Sequence, residues 1–174
     1  MGQSQSKKEH LHELLESFDT AMLITKHGAN GEGDHARPMA IAAIEGASTI
    51  WFVTSTASPK ARELQADSRV AITCQSDKKY VAMSGVATLV TDRAKIDELW
   101  KETWKVWFPE GKAAPDLGLL RVTVQDAEFW DNAGTTGIRY VIEAVKSYVA
   151  GEKAGMVDGQ HGRVKDGQPL SSRH

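Results

Sequence analysis

Between residues 20 and 90 the chain sets one short β-rich run after another: TAMLITK (20–26), RPMAIAAI (37–44), TIWFVT (49–54), RVAITC (69–74) and KYVAMSGVATLV (79–90). No long helical stretch separates them. Neighbouring parallel strands need a crossover of about a dozen residues or more, usually a helix, so this rhythm speaks against a doubly wound parallel sheet. Turn-forming segments such as HGANGEGDH and EGAS divide the runs instead, as in an antiparallel barrel or sandwich. LGLLRVTV (118–125) and AEFWD (127–131) read as a further β pair. The fold class expected is mainly β (α+β), an antiparallel barrel or sandwich with helices at its periphery.

The helices are marked by a change of period. Ser6-Lys-Lys-Glu9 has the spacing of a capping box, and Leu11, Leu14, Leu15 and Phe18 follow on one face, which predicts a first helix near 6–18. Asp92 can cap a helix whose Ile96, Leu99, Trp100, Thr103 and Trp107 share a face, ending before Pro109. Tyr140, Val141, Ala144, Val145 and Tyr148 mark a last helix over about 138–150. From Gly151 onward the chain is rich in glycine and charge and poor in apolar groups, so 151–174 is expected to be a flexible tail. Residues 6–150 are then one domain, the number a chain of 174 residues ordinarily supports.

Several function classes are set aside by composition and motif. A formal net charge of -2 offers none of the basic excess that nucleic-acid binding needs. No run approaches the roughly 18 apolar residues of a membrane span, and the chain reads as cytoplasmic. Its single cysteine, Cys74, lies inside an apolar run and reads as a small buried residue. The six histidines form no H-E-x-x-H and no metal-ligand cluster, so no metal site is expected. GANGEG lacks the Gly-Lys-Ser/Thr ending of a phosphate loop and carries Glu32 and then Asp34, so it reads as a hairpin tip. No G-x-S-x-G announces a hydrolase.

TIWFVT is followed by STASPKARELQAD, which reads as a strand running into a short helix. Ser58 suits the N-cap and Pro59 the first helical position, which puts Lys60 in the first turn. A cation there opposes the helix dipole, but free backbone N–H groups, a hydroxyl and an ammonium together suit a phosphate-sized dianion. If residues 37–54 form a hairpin through EGAS, Arg37 lies beside TIWFVT, and its planar fork suits the same phosphate. The plainer reading makes Lys60 a solvated surface lysine and pairs Arg37 with Asp34 or Glu63.

Read as one piece, ARPMAIAAIEGASTIWFVTSTASPKARELQADSRVAI (36–72) resembles the core of the pyridoxamine-phosphate-oxidase-like FMN-binding split barrels, within them the bacterial general stress protein subgroup. The shared pattern is Arg-Pro-Met on one strand, a hydrophobic-Thr strand end, Ser-x-Lys opening a short helix, and Asp67-Ser-Arg-Val70 leading into the next strand. The resemblance implies an antiparallel split β-barrel that binds FMN. It implies that Arg37, Ser58 and Lys60 hold the phosphate, and that Pro38, Met39, Ala40, Val53 and Thr54 line the isoalloxazine. The Glu-Phe-Trp of residues 128–130 is similar to one in the oxidases, which makes Trp130 either a contact to a flavin at a homodimer interface or a core residue.

The oxidases themselves carry a lysine five positions after the strand arginine, where this chain has Ala42. They also carry an Arg-x-His and a further arginine after the tryptophan, where DNAGTTGIRY leaves Arg139. The resemblance therefore stops short of pyridoxamine phosphate oxidase activity. Three functions are open, the first two being an FMN-dependent oxidoreductase of stress response with NAD(P)H or another small redox partner, and a non-catalytic flavin carrier or sensor. A cofactor-free interaction module is a third.

Overall fold

Thr49–Ser55, strand β3, has no alternation because both of its faces are covered: Ile50 and Phe52 belong to one apolar cluster, Trp51 and Val53 to another. That pattern follows from a sheet closed on itself with a layer packed outside it. The structure is a computed structural model that describes residues 2–27, 33–131 and 160–165. Its elements in chain order are α1 (Gly2–Glu16), β1 (Thr20–His27), β2 (Gly33–Glu45), β3, α2 (Pro59–Ala66), β4 (Arg69–Gln75), β5 (Lys79–Val90), α3 (Arg93–Leu99), two short 3-10 turns (Glu102–Val106 and Gly111–Ala113), β6 (Leu117–Asp131) and β7 (Gln160–Lys165).

All strand pairs are antiparallel, in the order β3-β2-β1-β4-β5-β6, and a further pairing of β3 with β6 closes six strands into a barrel. This is the mainly β split barrel expected from the sequence. Leu23, Ile72, Val81, Leu120 and Val122 fill the interior, and α1 adds Leu11, Leu14 and Leu15 to the same core. Cys74 is also there, and burial pushes its thiol up to about 12, which makes it inert at neutral pH. The second cluster lies on the outer face of β3, where Ile96, Trp104 and Phe108 cover Trp51 and Val53.

Two irregularities bend the long strands. The β2–β3 register shifts between Ile41 and Ala43, so Ala42 is the extra residue; it is buried in the outer cluster. The β5–β6 register shifts at Ser84/Gly85, leaving Gln125 as the extra residue on β6. Gly85 is required at that bend, because a Cβ there would lie 2.2 Å from the Thr123 carbonyl oxygen.

Some elements differ from their sequence reading. The two segments expected at 118–125 and 127–131 are one strand, because Gln125 and Asp126 make a bulge rather than a hairpin turn. Helix α1 begins at Gly2, which places Ser6 inside the helix instead of at its cap. The helix expected to run to Trp107 stops at Leu99. Trp100 and Lys101 turn extended, and the chain resumes as a 3-10 turn, so that Trp104 rather than Trp107 points into the core.

Arg37 does not lie beside β3. The first half of β2 pairs with β1, Arg37 opposite Leu23, and only the part beyond Ile41 reaches β3. Residues 160–165 fall inside the segment expected to be a flexible tail, yet they form β7 on the edge of β6. An edge strand is held by the ladder of backbone hydrogen bonds, which apolar composition does not report. The expected hairpin tip over 28–32, the last helix with Arg139, and most of the expected tail lie outside the described residues. Among the described residues no helix is long and apolar enough to cross a membrane.

Candidate functional site

A cavity of about 540 Å³ opens where the middle of β2 and the end of β3 meet the start of α2, within the range of small-molecule sites. Pro38, Met39, Ala40, Val53, Thr54 and Lys60 line it, and all six are residues singled out from the sequence. Thr20, Ser55, Trp107, Phe108 and Asp116 complete the wall, and sequence reasoning missed them. All five sit in loops or at strand ends, where local periodicity carries no signal. Trp107 was assigned to a helix that does not continue so far.

The start of α2 forms as its sequence dictates, with Ser58 at the N-cap and Pro59 at N1. The cap hydroxyl turns back into the loop, where Ser58 Oγ donates to the Ser55 carbonyl at 2.7 Å and makes no cap bond to the helix. Lys60 is half-buried in the cavity wall. Burial lowers its pKa below the ordinary lysine range and the charge of Arg37 lowers it further, while Glu63 opposes both. Lys60 is therefore a cation held in an unfavourable place, next to a second cation.

Arg37 stands behind this wall, one residue before Pro38. Of the two partners the sequence offered it, Glu63 takes it, with Arg37 Nη2 donating to Glu63 Oε2 at 2.7 Å. Asp34 instead receives Lys26 Nζ at 2.7 Å across the β1–β2 ladder. The Arg37–Glu63 pair is not a surface pair, since the two side chains are only 16% and 9% exposed. Thr25 Oγ1 also donates to Glu63 Oε2 at 2.6 Å, and His35 Nδ1 lies 3.1 Å from Glu63 Oε1. Glu63 thus ties β1, β2 and α2 together at the edge of the cavity.

Trp130 is not near this cavity within one chain. It lies at the opposite end of β6, paired with Tyr80 on one side and His161 on the other. Among the described residues no group of histidine, cysteine, aspartate and glutamate could hold a metal ion. The arrangement combines an apolar slot, strand-edge backbone and one cation at a helix start. Chemically it suits a flat ligand with an anionic end.

The chain is similar to several known proteins. The family model described as pyridoxamine 5'-phosphate oxidase like matches residues 6–155. The general stress FMN/FAD binding protein of Xanthomonas citri is 32% identical with a TM-score of 0.63, the likeness covering 75% of this chain and 92% of that one. A protein related to general stress protein 26 from Clostridium acetobutylicum shares the fold at a TM-score of 0.61 and 24% identity, over 68% of this chain and 84% of that one. Protein bli-3 of Neurospora crassa is 30% identical over 134 residues, which are 71% of this chain; the match spans 64% of the length of bli-3.

Burial raises the Glu63 carboxyl, but hydrogen bonds from Thr25, Arg37 and His35 outweigh it and hold the group at about 2, below its ordinary 4.5. A depressed carboxyl contributes stability above its unfolded pKa and loses it as pH falls toward the folded one. The stability difference between wild type and Glu63→Gln should therefore be constant above about pH 5 and shrink between about pH 4.5 and 2. Urea unfolding across that range measures it. A difference that does not change with pH would mean that Glu63 is not ionised in this network.

Proposed function

The chain belongs to the pyridoxamine 5'-phosphate oxidase-like family, and from that premise we propose that it is a flavoprotein that holds FMN, without a covalent bond, in the cavity between β2, β3 and α2. The observation that carries this reading is the convergence of Pro38, Met39, Ala40, Val53, Thr54 and Lys60 on one cavity. Lys60 would hold the phosphate at the helix start, supported by Arg37 from behind, while Ser58 keeps the loop in shape. The half-buried ammonium and its guanidinium neighbour repel each other, and a dianion would relieve that repulsion. A general stress FMN/FAD binding protein among the similar structures adds support.

The family match does not extend the oxidase's substrate grip to this chain. Ala42 stands where the resemblance places a lysine, and it is buried among apolar groups. We therefore assign a flavin-dependent oxidoreductase of stress response with a different substrate. The bound flavin would supply hydride and electron transfer, and the protein its binding and orientation. Anaerobic mixing of the FMN-loaded protein with NADH or NADPH should bleach the flavin faster than free FMN is bleached. Equal rates would make the protein a flavin carrier.

We propose that a second copy of the chain packs beside the site. Across four neighbouring strands the outer face of the barrel presents Met22, Ile24, Pro38, Ala71, Thr73 and Ala82, none of them charged, side by side in the register. Met22 is 37% exposed there. Pro38 also lines the cavity, so a homodimer through this face would cover the flavin and leave Trp130 to the partner's site. Light scattering should give twice the chain mass of 19.0 kDa, and Met22→Glu should halve it and weaken FMN binding, since a buried unpaired carboxylate is costly.

The phosphate contact sets a preference among flavins. A charge-assisted hydrogen bond is worth about 1.5 to 3 kcal/mol, so riboflavin should bind at least about tenfold more weakly than FMN. Lys60→Glu should abolish most of that difference without unfolding the protein. Equal affinity of the wild type for the two flavins would remove Lys60 from the site.

A further inference from the structure

Trp107 is 57% exposed and its neighbour Val106 73% exposed, the two most exposed large apolar side chains among the described residues. The backbone around Trp107 is anchored on both sides. Trp104 and Phe108 on either side of it are 2% and 7% exposed. The backbone N–H groups of Trp107 and Phe108 both reach the Trp104 carbonyl at 2.9 Å. The buried pair fixes the turn, and the turn directs the indole outward. The exposed ring borders the cavity that contains Lys60, Val53 and Thr54.

We infer that Trp107 is a ligand-binding contact, its indole closing the cavity over the planar ring of the bound ligand. The charges around the cavity support this division of labour. An anionic group is drawn to Lys60 and repelled by the Asp116 carboxylate, which Ser55 Oγ anchors at 2.6 Å. Trp107 and Phe108 offer aromatic surface, so the part of a ligand they can cover is its flat apolar part. The identity of that ring as isoalloxazine rests on the flavin reading above. On that reading Trp107 acts on the ring and Lys60 on the phosphate, and the two contacts are separable.

The test uses the full chain and titrates FMN and riboflavin by flavin fluorescence against wild type, Trp107→Ala and Trp107→Phe. Aromatic stacking on a planar base is worth about 1 to 3 kcal/mol, and 1.4 kcal/mol is tenfold. Trp107→Ala should weaken both flavins by the same factor, about tenfold, with unchanged oligomeric mass, while Trp107→Phe retains most of the affinity. Flavin should also quench less tryptophan emission in Trp107→Phe than in wild type. The inference is overturned if the alanine variant binds both flavins as wild type does. It is equally overturned if that variant loses affinity for FMN alone, or if only the oligomeric mass changes. Should the alanine variant fail to fold, Trp107→Gln is read by the same criteria. A wild type that binds neither flavin overturns the flavin reading itself, whereas a wild type that binds both and is indifferent to Trp107 overturns this inference alone.

Discussion

The closure of β3 onto β6 is the constraint from which the rest of the molecule follows. Residues 49–55 pair with 117–123, and the ladder runs to its end at Ser55 opposite Leu117. Past that end the Thr56 N–H still reaches the Asp116 carbonyl at 2.8 Å, so the loop entering α2 and the loop entering β6 are laced together. Gly118 makes this approach possible, since a Cβ there would stand 2.8 Å from the Thr56 methyl carbon. Closure therefore delivers Lys60, in the first turn of α2, and Trp107, Phe108 and Asp116, from the loop before β6, to a single cavity. An open sheet with the same strands would have no such corner.

Glu63 plays a corresponding part for charge. Two cations near one cavity are unfavourable in its absence, and a carboxylate bonded to Thr25, Arg37 and His35 offsets them while fixing the guanidinium. A pair this enclosed adds little net stability, because desolvation cancels much of the attraction. What it contributes is position. Arg37 is kept beside Lys60 in the folded chain, so the ordering cost of the proposed anion site would be met during folding rather than binding.

The parts of this site that lie on regular elements were legible in the sequence. Alternating and continuous apolar runs located β1 through β5, and Ser58-Pro59 located the start of α2, because a cap and a fixed φ are local chemistry. What could not be read depends on partners distant in the chain. Arg37 had two acidic candidates, and the choice of Glu63 over Asp34 is made by the β1–β2 register that gives Asp34 to Lys26. The single long β6 hides behind Gln125, whose bulge looks like a break until β5 is placed against it. β7 has no apolar signature at all, being held by an edge that only the finished barrel provides.

The misassigned tryptophan is the instructive case. A helical wheel drawn from Asp92 puts Ile96, Leu99, Trp100, Thr103 and Trp107 on one stripe, and that stripe is real as far as Leu99. Continuing it would bury Trp107 and expose Trp104. The chain instead spends Trp100 and Lys101 in extended conformation, which shifts the phase so that Trp104 and Phe108 cover β3 and Trp107 faces the cavity. A continuous helix would have been locally cheaper, because 3-10 geometry has poorer hydrogen bonds. The break is therefore stabilised by what Trp104 and Phe108 bury against Trp51 and Val53, and the outward indole at the cavity is its direct consequence.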